Sequence, residues 1–158
     1  MTRRVILLIG LLALFADPRG AWAQGALASF ERDELVIERA DGGSHRFDIE
    51  LALEPQQQAQ GLMYRRKMAP EAGMLFIYEP VRQVAMWMQN TYIPLDMIFI
   101  QADGQIVKIV ERTVPLSQET ISSDRPVRAV LEVNGGTAAR LDLKPGDRVV
   151  HALIGGAP

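Results

Sequence analysis

From Leu35 onward the apolar residues come in short runs, and each is cut off by a turn signal before a helix of ordinary length could form. The run at 74–78 stops at Glu79-Pro80, and that at 84–88 stops at the polar turn Gln89-Asn90-Thr91. The run at 148–153 begins only after the tight turn Lys144-Pro145-Gly146-Asp147. Over 44–53, Phe47, Ile49, Leu51 and Leu53 alternate with polar residues, close to the period of a half-buried strand. Leu35-Val36-Ile37 leads into that strand through Asp41-Gly42-Gly43, so the domain is expected to open with a hairpin. A second hairpin is expected where Pro94 admits a strand at 95–100 and Asp103-Gly104 turns it into 105–110. The polar stretch 115–126 reads as a surface loop and 127–133 as a buried strand. The exception is Pro55 followed by Gln56, Gln57, Gln58 and Ala59, which predicts a short helix over 55–63 as the main helix. The expected fold is therefore mostly β, an antiparallel sandwich or barrel with one short inserted helix.

The first residues follow a different logic. Arg3 and Arg4 precede an apolar run from Val5 to Ala16, and a polar stretch closes on Ala21-Trp22-Ala23. This is the pattern of a secretory signal peptide cut before Gln24, and its apolar run falls short of the roughly 20 residues of a membrane-spanning helix. The general secretory and twin-arginine routes both fit the arginine pair. The expected organisation is a signal peptide at 1–23, a flexible segment at 24–34, one β-rich domain at 35–154 and a tail at 155–158, with a periplasmic or secreted location.

Cleavage would remove Arg3, Arg4, Arg19 and Asp17 from 17 basic and 19 acidic residues, leaving 14 and 18 and a net charge of −4. Such a domain is a poor partner for nucleic acid or an anionic membrane surface, and no membrane span remains after cleavage. It has 0 cysteines, so its stability comes from the core and not from disulfides. The familiar nucleophile elbows, phosphate loops and zinc spacings are missing, so no cofactor is expected and the reading leans away from an enzyme. His45 and His151, far apart in sequence, read as surface or sheet-edge residues.

Five blocks in order carry a resemblance: Gly61-Leu62-Met63-Tyr64-Arg65; Gly73-Met74-Leu75-Phe76; Trp87-Met88-Gln89-Asn90-Thr91-Tyr92-Ile93-Pro94-Leu95-Asp96; Leu131-Glu132-Val133-Asn134-Gly135-Gly136; and Pro145-Gly146-Asp147. Together they resemble the "domain of unknown function 192" family of bacterial and archaeal proteins over about 35–154. The resemblance implies a compact β-rich fold, often behind a signal peptide, and brings no activity with it. The family more usually has an aromatic residue where this chain has Met86.

Three constellations deserve a chemical reading. Asp96 lies on the face of its strand that also holds Ile98 and Ile100, and a carboxylate in that position needs a partner. Arg65 is one candidate, and the backbone amides of the turn at 90–94 are another. The third reading is a polar ligand pocket bounded by Trp87, Asn90, Thr91 and Asp96, with Arg65 beside it and Glu132 contributing. Such a pocket suits a small polar ligand, a glycan or a peptide, or marks a contact with an envelope protein. Glu132 is a second carboxylate between Leu131 and Val133, so paired with Asp96 it would offer the acid and base of a hydrolase. Finally, Met86 and Met88 flank Trp87 at the spacing that puts two thioethers on one side of a strand, which would suit Cu(I) in a periplasmic protein. Core packing is the competing account of both methionines.

Overall fold

The computed structural model describes residues 27–155; the expected signal peptide, its cleavage point and most of the tail lie outside them. The strands are β1 (Glu31–Glu38), β2 (Ser44–Ala52), β3 (Ala72–Arg82), β4 (Ala85–Met86), β5 (Leu95–Ile100), β6 (Ile106–Val110), β7 (Ile121–Ser122), β8 (Val127–Asn134) and β9 (Arg148–Val150). Two short helices are α1 (Pro55–Gln60) and α2 (Thr137–Leu141). Seven strands form one sheet in the order β6-β5-β8-β3-β2-β1-β9. Its two ends meet: Gln105 bridges Arg148, and the amides of Ile106 and Val149 donate to the carbonyls of Asp147 and Gly104. The sheet thus curls into a nearly closed barrel, which leaves little bare edge for another chain to pair with.

Both expected hairpins form, β1 with β2 and β5 with β6. All ladders of the large sheet are antiparallel except one: β2 runs parallel to β3, because α1 and the following loop carry the chain back to the start of the sheet before β3 begins. β1 begins at Glu31, earlier than the expected flexible segment allows. Residues 31–34 are exposed, yet their backbone pairs with 48–51 of β2, so ladder bonds hold them and apolar patterning does not reveal them. The helix at Pro55 is shorter than expected, and its first turn is held by the Gln57 side chain accepting the Glu54 amide at 3.0 Å.

Alternation along the strands builds two cores, one on each side of the sheet. The barrel interior takes Leu35, Phe47, Ile49, Leu75, Ile98 and Leu131, and α2 buries Ala138 against it. The outer face of β3, β5 and β8 takes Phe76, Met97, Phe99 and Val130, and is roofed by Leu62, Val84, Met86 and Met88 from the long connections. β5 is fully buried because both cores use it. Gly73 faces β8 so closely that a Cβ would lie 2.8 Å from the Glu132 carbonyl, which is why a side chain is excluded there.

Candidate functional site

Asp96 and Glu132 sit on neighbouring strands, but on opposite faces. In the β5–β8 register Asp96 is opposite Val133 and Met97 is opposite Glu132, so Asp96 points into the barrel and Glu132 out of it. The acid and base pair of the hydrolase reading is therefore not formed, since the sheet stands between the two carboxyl groups.

The Asp96 carboxylate is completely buried and accepts three backbone N–H bonds, from Arg112 at 2.7 Å, Gly136 at 2.9 Å and Ala138 at 2.8 Å. Two of these belong to the start of α2, where the left-handed Gly136 precedes the helix and has no side chain to cap it. Asp96 supplies from another strand the cap that the local sequence lacks. The expected Arg65 partner is not there. Arg65 pairs instead with Glu50 on the outer face of β2 and stacks its guanidinium 5.8 Å from the Phe30 ring centroid. Nor does Asp96 cap the turn at 90–94; the amides it holds lie in the loop after β6 and at α2.

Glu132 has the opposite surroundings. It is 4% exposed and lines a cavity of about 260 Å³ with Phe76, Tyr78, Met86, Trp87 and Thr91 around it. No hydrogen bond or ion pair among the described residues reaches its carboxyl group. Burial alone pushes its pKa up to about 8, so it holds a proton at neutral pH. The Tyr78 phenol, also raised by burial and by the nearby Glu132 carboxylate, donates to the Met86 sulfur at 3.3 Å. Trp87 is 53% exposed and forms part of the wall, and the exposed Arg82 lines it as well.

Of the residues expected in one pocket, the fold unites Trp87, Thr91 and Glu132. Asp96 and Arg65 are elsewhere. Asn90 adopts a left-handed backbone and ties the turn after α1 to its own, accepting the Tyr64 amide at 2.8 Å through its carbonyl and donating to the Tyr64 hydroxyl at 3.2 Å. Tyr78, Phe76, Met63 and Arg82 complete the lining without a motif that marks them. The signal for them was modest: Phe76 and Tyr78 share the period of Met74, on the outward face of β3.

The two methionines do not form an open thioether pair. Met88 is sealed in the outer core with its sulfur 3.1 Å from the Thr113 hydroxyl, while the Met86 sulfur already accepts from Tyr78. No cluster of three or more His, Asp or Glu side chains suited to a metal occurs among the described residues. His45 is half-buried on the first hairpin, whereas His151 is buried at the barrel end. Its Nδ1 accepts the Leu153 amide, so Nε2 carries the proton offered to Asp33 at 3.2 Å.

No curated protein matches this chain. A crystal structure of a protein from Sinorhizobium meliloti 1021, described as a candidate transcription regulator, is similar to it at 49% identity with a TM-score of 0.79, over 80% of this chain and 98% of that one. A protein of unknown function from Novosphingobium aromaticivorans DSM 12444 is similar at 38% identity with a TM-score of 0.76, over 80% of this chain and 90% of that one. The family model described as "Uncharacterized ACR" (DUF192) matches residues 36–151. The chain belongs to the DUF192 family, whose function is unknown.

Proposed function

We propose that this protein is an exported, non-enzymatic binding domain of the cell envelope, and that it takes a small polar ligand in the cavity between Trp87 and Glu132. The observation that carries this reading is the Glu132 carboxyl group, held at the cavity wall with no hydrogen-bond or ion-pair partner among the described residues. A carboxyl group largely withdrawn from water yet open to a cavity is one that a ligand supplying hydrogen bonds would stabilise. The exposed Trp87 ring beside it gives such a ligand an apolar surface to lie on.

Export is supported by the basic, apolar and small-residue pattern of 1–23. The description attached to the Sinorhizobium relative does not transfer well, because a domain of net −4 behind an export signal is ill suited to DNA. Expression in a bacterial host should give a mature chain starting at Gln24 in the periplasmic fraction, as read by mass spectrometry. An intact N-terminus in the cytoplasm would refute export. A thermal-shift screen of the purified protein against small polar metabolites, glycans and short peptides tests binding. The expected result is a stabilising ligand whose effect disappears in Trp87→Ala and Glu132→Gln; a ligand indifferent to both changes would refute the site.

A further inference from the structure

The cavity carries a carboxyl group and a guanidinium group that do not meet. Glu132 reaches it from β8 and Arg82 from the end of β3, and Tyr78 borders on both. The Arg82 guanidinium lies 5.0 Å from the Tyr78 ring centroid, while the Tyr78 phenol is close enough to Glu132 to feel its charge. No ion pair joins Arg82 to Glu132 among the described residues, and burial of Glu132 is not offset by any cation. The space of about 260 Å³ is below the roughly 300–1,000 Å³ of pockets for drug-sized ligands, so the occupant is a molecule of few heavy atoms.

We propose that this site takes a small zwitterion of the amino-acid class, with its ammonium group on Glu132 and its carboxylate on Arg82. The inference rests on the binding reading above and names the ligand chemistry. An ammonium group offers three N–H donors and a compensating charge to the buried carboxylate, and the aromatic faces of Phe76, Tyr78 and Trp87 line the same space. On the exposed side of the lining, the planar fork of Arg82 suits a carboxylate held at two points. A neutral sugar would leave the Arg82 charge unused, and a simple anion would bring no N–H donors or positive charge to the Glu132 carboxyl group.

The charged and titratable groups facing Glu132 are Tyr78 and Arg82, both from β3. The lining from α1 and its following turn, such as Gln58 and Met63, has no titratable group, and neither do Met86, Trp87 and Thr91 from the connection to β5. Met74 and Met97 flank Glu132 in the ladders. An ammonium ligand must therefore displace the proton from Glu132 itself, and binding at neutral pH releases it to the buffer.

The test is isothermal titration calorimetry of the purified protein with the common amino acids, then with the N-acetyl derivative and methyl ester of the best binder, and with glucose. Arg82 is exposed and Glu132→Gln is isosteric, so both variants are expected to fold, which their unfolding curves check. The expected result is binding of a free amino acid with proton release in buffers of different ionisation enthalpy. Blocking either end should weaken it about tenfold or more, with Glu132→Gln insensitive to the amine block and Arg82→Gln insensitive to the carboxylate block. Equal affinity for the N-acetyl derivative, or glucose binding alone that depends on Glu132, would overturn the zwitterion while leaving the binding site standing. Silence from every probe here and in the wider ligand screen would overturn both.

Discussion

Asp96 and Glu132 are one register position apart on adjacent strands, both buried, and they live in opposite chemical worlds. Asp96 faces the barrel interior and accepts three amide protons; Glu132 faces a cavity and accepts none from the described residues. The contrast teaches that a buried carboxylate is neither structural nor functional by virtue of burial. What separates the two is whether the fold has already supplied the donors.

The largest effect that tests this contrast is loss of the inward carboxylate. Asp96→Ala leaves the amides of Arg112, Gly136 and Ala138 without their acceptor and is expected to cost about 5 kcal/mol, given about 1.5–3 kcal/mol per hydrogen bond to a charged group. Urea unfolding measures it, and a loss below about 1 kcal/mol would mean that α2 has another cap.

Next comes the pH dependence of Glu132. Its folded pKa of about 8 lies above the ordinary carboxylate value of 4.5, so the folded state binds more protons between those two values. Stability is greatest below about pH 4.5 as far as this group is concerned, and falls as pH rises through the window to about 8. The total is on the order of 5 kcal/mol. Glu132→Gln, which cannot ionise, should flatten that slope and be no less stable than the parent at pH 8, as followed by chemical unfolding at stepped pH. An unchanged slope in the variant would show that Glu132 is not the group responsible.

Smaller effects sharpen the comparison at its edges. Arg65→Ala removes a partly exposed pair with Glu50 and is expected to cost about 1 kcal/mol or less, whereas a role in neutralising Asp96 would make it several times larger. Trp87→Ala should change stability by less than about 0.5 kcal/mol because the ring is half in solvent, while abolishing ligand-induced stabilisation. A large stability loss there would recast Trp87 as a packing residue.

Much of this architecture is legible in the chain. The alternation of Phe47, Ile49 and Leu51 and the turns at Asp41-Gly42-Gly43 and Asp103-Gly104 specify local pairing, and local pairing is what period and turn chemistry report. The parallel register of β2 with β3 is not local, and β3 reads shorter than it is because its end, from Glu79 to Arg82, is exposed. α2 escaped notice because its cap, Asp96, is forty residues away and its own N-terminus is a glycine.

The site was half legible for a related reason. Asp96 and Glu132 stand out as carboxylates in apolar strands, and alternation assigns each to a face of its own strand. Only the cross-strand register reveals that those faces are opposite. Arg65 pairs with Glu50 and not with Asp96, a choice of acid that sequence position does not convey because it gives charge and approximate location but not the direction of a side chain. Tyr78 and Arg82 join Glu132 only because β3 and β8 pair, a contact that no local pattern encodes.

The most direct measurement is a carbon-13 NMR titration of the Glu132 carboxyl group in the free protein, assigned by its absence in Glu132→Gln. A midpoint near pH 8 is expected for a carboxyl group whose burial no partner among the described residues offsets, moving down when a cationic ligand occupies the cavity. A midpoint in the ordinary glutamate range, near 4.5, would mean that the protein or water already satisfies Glu132, and the case for a ligand site there would fall.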